Sequence, residues 1–97
     1  MNEQDRILGI LREYKLQAGA RYGIEALGIF GSAARGEIEE SSDVDVFVKT
    51  TVPDPFALVH IRDDLQERLK RRVEMVRLRA NMNKYLKDRI NQDAIYV

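Results

Sequence analysis

Two short stretches hold the residues best suited to chemistry. Asp43 and Asp45 stand two apart in Asp43-Val44-Asp45-Val46-Phe47-Val48, and Phe30-Gly31-Ser32-Ala33-Ala34-Arg35-Gly36 lies one loop upstream. Residues two apart on a strand point to one face with Cα atoms about 6.5–7 Å apart, so two carboxylates would converge on one spot. Like charges held this way repel, and a divalent cation relieves the repulsion; Mg²⁺ favours one or two carboxylates together with substrate phosphate oxygens. The pair alone also reads as a solvent face at the start of a strand, although Asp is depleted in strands. In the glycine-serine stretch, small residues let the backbone approach a ligand. With Ser32 opening a helical turn, its hydroxyl and the N–H groups beyond it face an anion, and Arg35 adds a permanent positive charge. The Gly-Lys-Ser/Thr ending of a Walker loop is missing, and the heptapeptide alone also reads as a tight turn with a serine cap. Glu74, in Val73-Glu74-Met75-Val76, brings a third carboxylate to the site if its strand neighbours that of Asp45; by itself it reads as a surface charge.

These residues need elements to hold them. Ile7, Ile10, Leu11, Tyr14 and Ala18 follow the spacing of one buried helix face, with Asn2 as cap and Gly23 as stop. Ala26–Phe30 is a short apolar run that fits a buried strand, and Asp43–Val48 alternates with period two. Pro53-Asp54-Pro55 leads into a helix with Leu58, Ile61, Leu65 and Leu69 inward. Val73–Val76 reads as a strand, Met82, Tyr85, Leu86 and Ile90 as a last helix, and Ala94–Val97 as a strand or a packed tail. The order is helix, strand, strand, helix, strand, helix, with a helical turn after the first strand. It predicts one small α/β (α+β) domain over residues 1–97, with a mixed three- to four-stranded sheet and helices packed mainly on one face.

Composition narrows the classes of function. With 97 residues there is room for one core and no substrate-gripping second domain. Sixteen basic and sixteen acidic residues leave a net charge of 0, so no global field draws in nucleic acid, and direct nucleic-acid binding is not expected. The absence of cysteine removes disulfides, thiol catalysis and Cys-ligated zinc, and the single histidine, His60, makes a His-dependent triad unsuitable. No apolar run reaches the roughly 20 residues of a membrane span, and the first residues lack a signal-peptide pattern, so a cytoplasmic protein is expected. Arg68, Lys70, Arg71 and Arg72 cluster at a helix C-terminus, where the dipole favours cations.

Gly31-Ser32-Ala33-Ala34-Arg35-Gly36, an acidic loop, and Ser42-Asp43-Val44-Asp45-Val46 together resemble the signature of the nucleotidyltransferase superfamily that includes DNA polymerase β. The small size, the opening helix and the closing Asp93–Val97 resemble its minimal nucleotidyltransferases, the MNT proteins. The resemblance implies a polymerase β-like core. It implies Asp43 and Asp45 as metal ligands and catalytic residues, and Gly31 and Ser32 as holders of the nucleotide's phosphates. Glu74 takes the place of a third carboxylate, where the family usually has aspartate. Two Mg²⁺ ions and ATP as substrate follow. MNT proteins are commonly antitoxins of HEPN-domain ribonucleases, and some transfer AMP from ATP to a tyrosine of that toxin. The resemblance thus implies a HEPN toxin partner and a hetero-oligomer with it. So small a chain, once holding ATP, has little surface left to enclose an acceptor, which fits an acceptor carried on another protein. A different class of reading is a non-catalytic antitoxin that neutralises its toxin by stoichiometric binding; a stand-alone transferase acting on a small molecule is a third.

Overall fold

The computed structural model describes residues 2–97. Helix α1 (Glu3–Tyr22) is opened by Asn2, whose side chain accepts from the Asp5 amide at 2.8 Å, and closed by Gly23 at a left-handed φ of 63°. Ile7, Leu11, Tyr14 and Ala18 form its buried stripe, as their spacing predicts. There follow β1 (Ile24–Phe30), the short helix α2 (Gly31–Ala34), β2 (Val44–Thr50), α3 (Pro55–Leu69), β3 (Val73–Arg77), α4 (Lys84–Asp93) and β4 (Ile95–Tyr96). The closing residues are therefore a strand, the first of the two alternatives that the sequence leaves open.

The sheet runs β3-β2-β1-β4. β1 pairs antiparallel with β2 and β4, whereas β2 pairs parallel with β3 across the α3 crossover. The period-two alternation in β2 divides two environments. Val44, Val46 and Val48 enter the main core with Ile7, Leu11 and Tyr14 from α1 and Ile61, Leu65 and Leu69 from α3. Phe47 turns the other way and packs with Phe30 and with Ile90 of α4. The two long helices thus share one face and α4 covers part of the opposite face. Burying each of these large aliphatic or aromatic side chains contributes about 1.5–3 kcal/mol.

Helix α3 begins where the sequence signals it. Asp54 accepts from the Phe56 and Ala57 amides, and Pro55 sits in the first turn where a missing N–H costs nothing. Gly28 permits the tightest crossing of the sheet: a Cβ there would collide with the Ile95 carbonyl and the Phe47 ring. That ring, freed to lie over β1, meets Tyr96 edge-on at 4.9 Å between centroids. Tyr85 departs from its expected inward position and is 73% exposed, because Leu86 and Ile90 already fill the contact of α4 with the sheet. Among the described residues no helix is long and apolar enough to cross a membrane.

Candidate active site

The sheet brings the two sequence-marked stretches to the same end. In the register, Asp45 of β2 stands opposite Phe30 of β1 on one side and Glu74 of β3 on the other. Phe30 is the last residue of β1, so the chain leaves β1 beside Asp45 and turns into α2. Asp43, one residue before β2, is exposed, whereas Asp45 is half-buried. The sequence condition for Glu74, that its strand neighbour β2, is met in the sheet.

Gly31 makes the junction fit. Its φ is 69°, where L side chains are strained, and a Cβ built on it would collide with Asp45 Oδ2. The backbone of the α2 turn therefore lies directly against the Asp45 carboxylate. The turn opens one residue earlier than the sequence suggests. Phe30, at φ −143°, occupies the cap position without a side-chain hydrogen bond, and Ser32 sits inside the turn instead of capping it. A side-chain cap needs Ser, Thr, Asp or Asn at that position, whereas Phe30 packs into the cluster beneath α4. Helix α1 supports the turn from the other side: Gln4 Nε2 donates to the Ala33 and Ala34 carbonyls at 3.1 and 2.9 Å.

The surroundings of Asp45 alter its protonation. Burial pushes the Asp45 carboxyl up from its ordinary value near 3.8 to about 6, and the Glu74 carboxylate on the next strand adds to the rise. Asp43 acts in the same direction, and Arg89 of α4 acts against it. At neutral pH the site therefore holds negative charge that the fold itself does not neutralise, and its donors are hard carboxylate oxygens. Both properties fit a small divalent cation. Among the described residues no three Asp, Glu or His side chains form a complete cage for a metal by themselves. Mg²⁺ is characteristically bound by one or two carboxylates, with water and substrate phosphate filling its remaining positions.

Arg35 leaves the turn toward α4, where its guanidinium meets Asp93 at 2.8 Å and Glu37 at 3.1 Å. In this structure it links α2 to α4 and is not directed at the carboxylates. Another arginine stands closer to them. Arg89 projects over the Phe30 ring at 5.7 Å and is near enough to Asp45 to lower its proton affinity. Sequence reading passes over Arg89, whose only signal is its place beside Ile90, the buried anchor of α4. His60, expected to be structural or exposed, is exposed on α3 and stacks on Tyr22 at 6.4 Å between ring centroids. An open cavity of about 490 Å³ lies elsewhere on the α4 side, lined by residues that include Lys49, Arg79, Lys87 and Tyr96 and none of the three carboxylates.

Comparison with known proteins gives a consistent result. A profile described as polymerase beta, nucleotidyltransferase, matches residues 12–97. A Methanocaldococcus jannaschii relative named among the protein adenylyltransferases is 36% identical over 98 residues, covering 100% of both chains. A solved structure described as a minimal nucleotidyltransferase superposes with a TM-score of 0.76 at 29% identity, covering 98% of this chain and 95% of the other. A complex of a tri-AMPylated Shewanella oneidensis HEPN toxin with its MNT antitoxin contains a chain of the same fold. That chain matches with a TM-score of 0.61 at 19% identity, covering 97% of this chain and 67% of the other.

Proposed function

The chain belongs to the polymerase β nucleotidyltransferase family, and from that premise we propose that it is a Mg²⁺-dependent protein adenylyltransferase. In this reading it acts as an antitoxin and moves AMP from ATP onto a tyrosine hydroxyl of a HEPN ribonuclease toxin. The observation that carries the reading is the position of Asp45, with the Gly31 turn lying on it from one side and Glu74 facing it from the next strand. The adenylyltransferase name of the M. jannaschii relative supports the choice of group transferred. The fold shared with an MNT antitoxin supports the architecture.

Asp43 and Asp45, with Glu74 beside them, would hold the metal. When bound, it supplies charge stabilisation to the phosphate oxygens of an in-line displacement. The chain's own residues do the rest. Gly31 and Ser32 lie at the start of a helical turn, whose first N–H groups lack intrahelical partners and suit phosphate oxygens. Arg89 adds positive charge beside Asp45. The acceptor oxygen bonds to the α-phosphorus, the bond from that phosphorus to the bridging oxygen breaks, and pyrophosphate leaves. The proton of the acceptor hydroxyl passes to a carboxylate of the site, and Glu74, on the strand beside Asp45, is placed to take it.

Incubation with α-labelled ATP, Mg²⁺ and a HEPN protein encoded beside this chain tests the proposal. The partner becomes labelled, and the Asp43→Ala/Asp45→Ala variant leaves it unlabelled. Equal labelling by the variant overturns the site. Equal protection of cells by the variant, with no label on the toxin, replaces catalysis by stoichiometric neutralisation.

A further inference from the structure

Asp43 stands one residue before β2, so the parallel ladder, which starts at the Val44 amide, holds its backbone on one side only, and Arg71 holds the other. The Ser42 carbonyl just before Asp43 accepts from Arg71 Nη1 at 3.0 Å, and the Val44 amide just after it donates to the Arg72 carbonyl at 2.9 Å. The same Arg71 nitrogen also holds the Glu39 and Glu40 carbonyls at 2.8 and 3.1 Å, and Nε meets Glu3 Oε2 of α1 at 2.6 Å. Its side chain is only 12% exposed. A cation that the sequence places at a solvated helix end is in fact turned inward, linking α1, the acidic loop and β3.

We propose that Arg71 is a positioning residue for the metal site, clamping the backbone around Asp43 so that its carboxylate is held next to Asp45. The inference rests on the nucleotidyltransferase reading above. The segment Arg71-Arg72 leads directly into Val73 and Glu74. One turn therefore sets the place of Asp43 and also begins the strand that presents Glu74. The planar guanidinium bridges carboxylate and carbonyls together, which an ammonium cannot do from one position.

The test compares Arg71→Lys with Arg6→Lys. Arg6 shares the Glu3 carboxylate and holds the Leu69 carbonyl, but it makes no hydrogen bond to residues 39–42. Both variants remove part of the same ion-pair cluster, and thermal unfolding measures what each loses. Mn²⁺ binding, followed by electron paramagnetic resonance with the metal alone, weakens about tenfold in Arg71→Lys and stays unchanged in Arg6→Lys. AMP transfer by Arg71→Lys falls by a similar factor at limiting Mg²⁺ and recovers as Mg²⁺ is raised. Unchanged Mn²⁺ affinity in Arg71→Lys overturns the proposal, as does equal weakening in both variants, and so does a parent chain that binds no Mn²⁺. Amide hydrogen exchange gives a second check: the Ser42 amide, which donates to the Glu39 carbonyl inside the loop that Arg71 holds, exchanges several-fold faster in Arg71→Lys and at the parent rate in Arg6→Lys, and an equal rate in all three overturns the clamp. Should the parent chain bind Mn²⁺ but transfer no AMP, the functional reading fails while the metal titration still decides the clamp.

Discussion

Asp45→Asn separates stability from chemistry at the centre of the site. The Asp45 carboxyl is raised from about 3.8 to about 6 by burial and by Glu74. Below pH 4 it is protonated in both the folded and unfolded chain and costs nothing. Between 4 and 6 the unfolded chain releases the proton while the folded chain keeps it, so stability falls as pH rises, and above 6 the loss is complete. At about 1.36 kcal/mol per pH unit the full loss is at most about 3 kcal/mol. The carboxyl is only half-buried, and solvent screening reduces this to about 1 kcal/mol. Asparagine has no such loss, so the variant should melt about 4–8 °C above the parent at pH 7.5 and near it at pH 4. Scanning calorimetry without divalent metal at both pH values measures this. Added Mg²⁺ should then raise the parent's midpoint more than the variant's, since a ligand that binds only the folded state stabilises it. AMP transfer should be lost. A variant no more stable than the parent at pH 7.5 would refute the argument that Asp45 is held against its own charge.

Other substitutions test the parts that hold the site. Gly31→Ala should cost at least about 1–2 kcal/mol in urea unfolding, from its left-handed φ, and should abolish transfer by displacing the Asp45 carboxylate. Asn2→Ala removes the cap that the Asp5 amide uses and should cost about 1 kcal/mol by the same measurement, without changing Mg²⁺ dependence. Tyr14→Phe breaks the 2.8 Å hydrogen bond to Asp64 and should cost about 1 kcal/mol. Burial and that bond hold the Tyr14 hydroxyl well above its ordinary value near 10, so ultraviolet titration of the parent should show a strongly alkaline tyrosine step that Tyr14→Phe lacks.

The elements whose evidence is local were legible in the sequence. Alternation in Val44, Val46 and Val48 marks β2, Asn2 and Gly23 bound α1, and Pro53-Asp54-Pro55 opens α3, because each signal is a property of neighbouring residues. The pairing of Asp45 with Glu74 depends on strand order, which the sequence leaves conditional. Arg71 and Arg89 were hidden for a different reason. A basic residue near a helix end reads as solvated whichever way it points, and only the fold shows Arg71 turned onto carbonyls 29 to 32 residues away. Ser32 lies two positions beyond the cap because Phe30, which packs beneath α4, stands where local capping rules prefer a polar residue.

The directions of the strands make one end of the sheet the only place where this chemistry could assemble. β2 and β3 run parallel, so both begin at the same end, and their acidic residues lie at those beginnings. β1 runs antiparallel to β2, so it finishes at that end and delivers the glycine turn there. Parallel neighbours cannot be joined by a tight hairpin, and α3 supplies the crossover that returns the chain to the same edge. Were β3 antiparallel to β2, its first residues would lie at the far end of the sheet, and Glu74 would be separated from Asp45 by the length of the strands. The carboxylate cluster is thus a consequence of one helical crossover, and the segment that ends that crossover, Arg71-Arg72, is also the one that fixes the backbone on either side of Asp43.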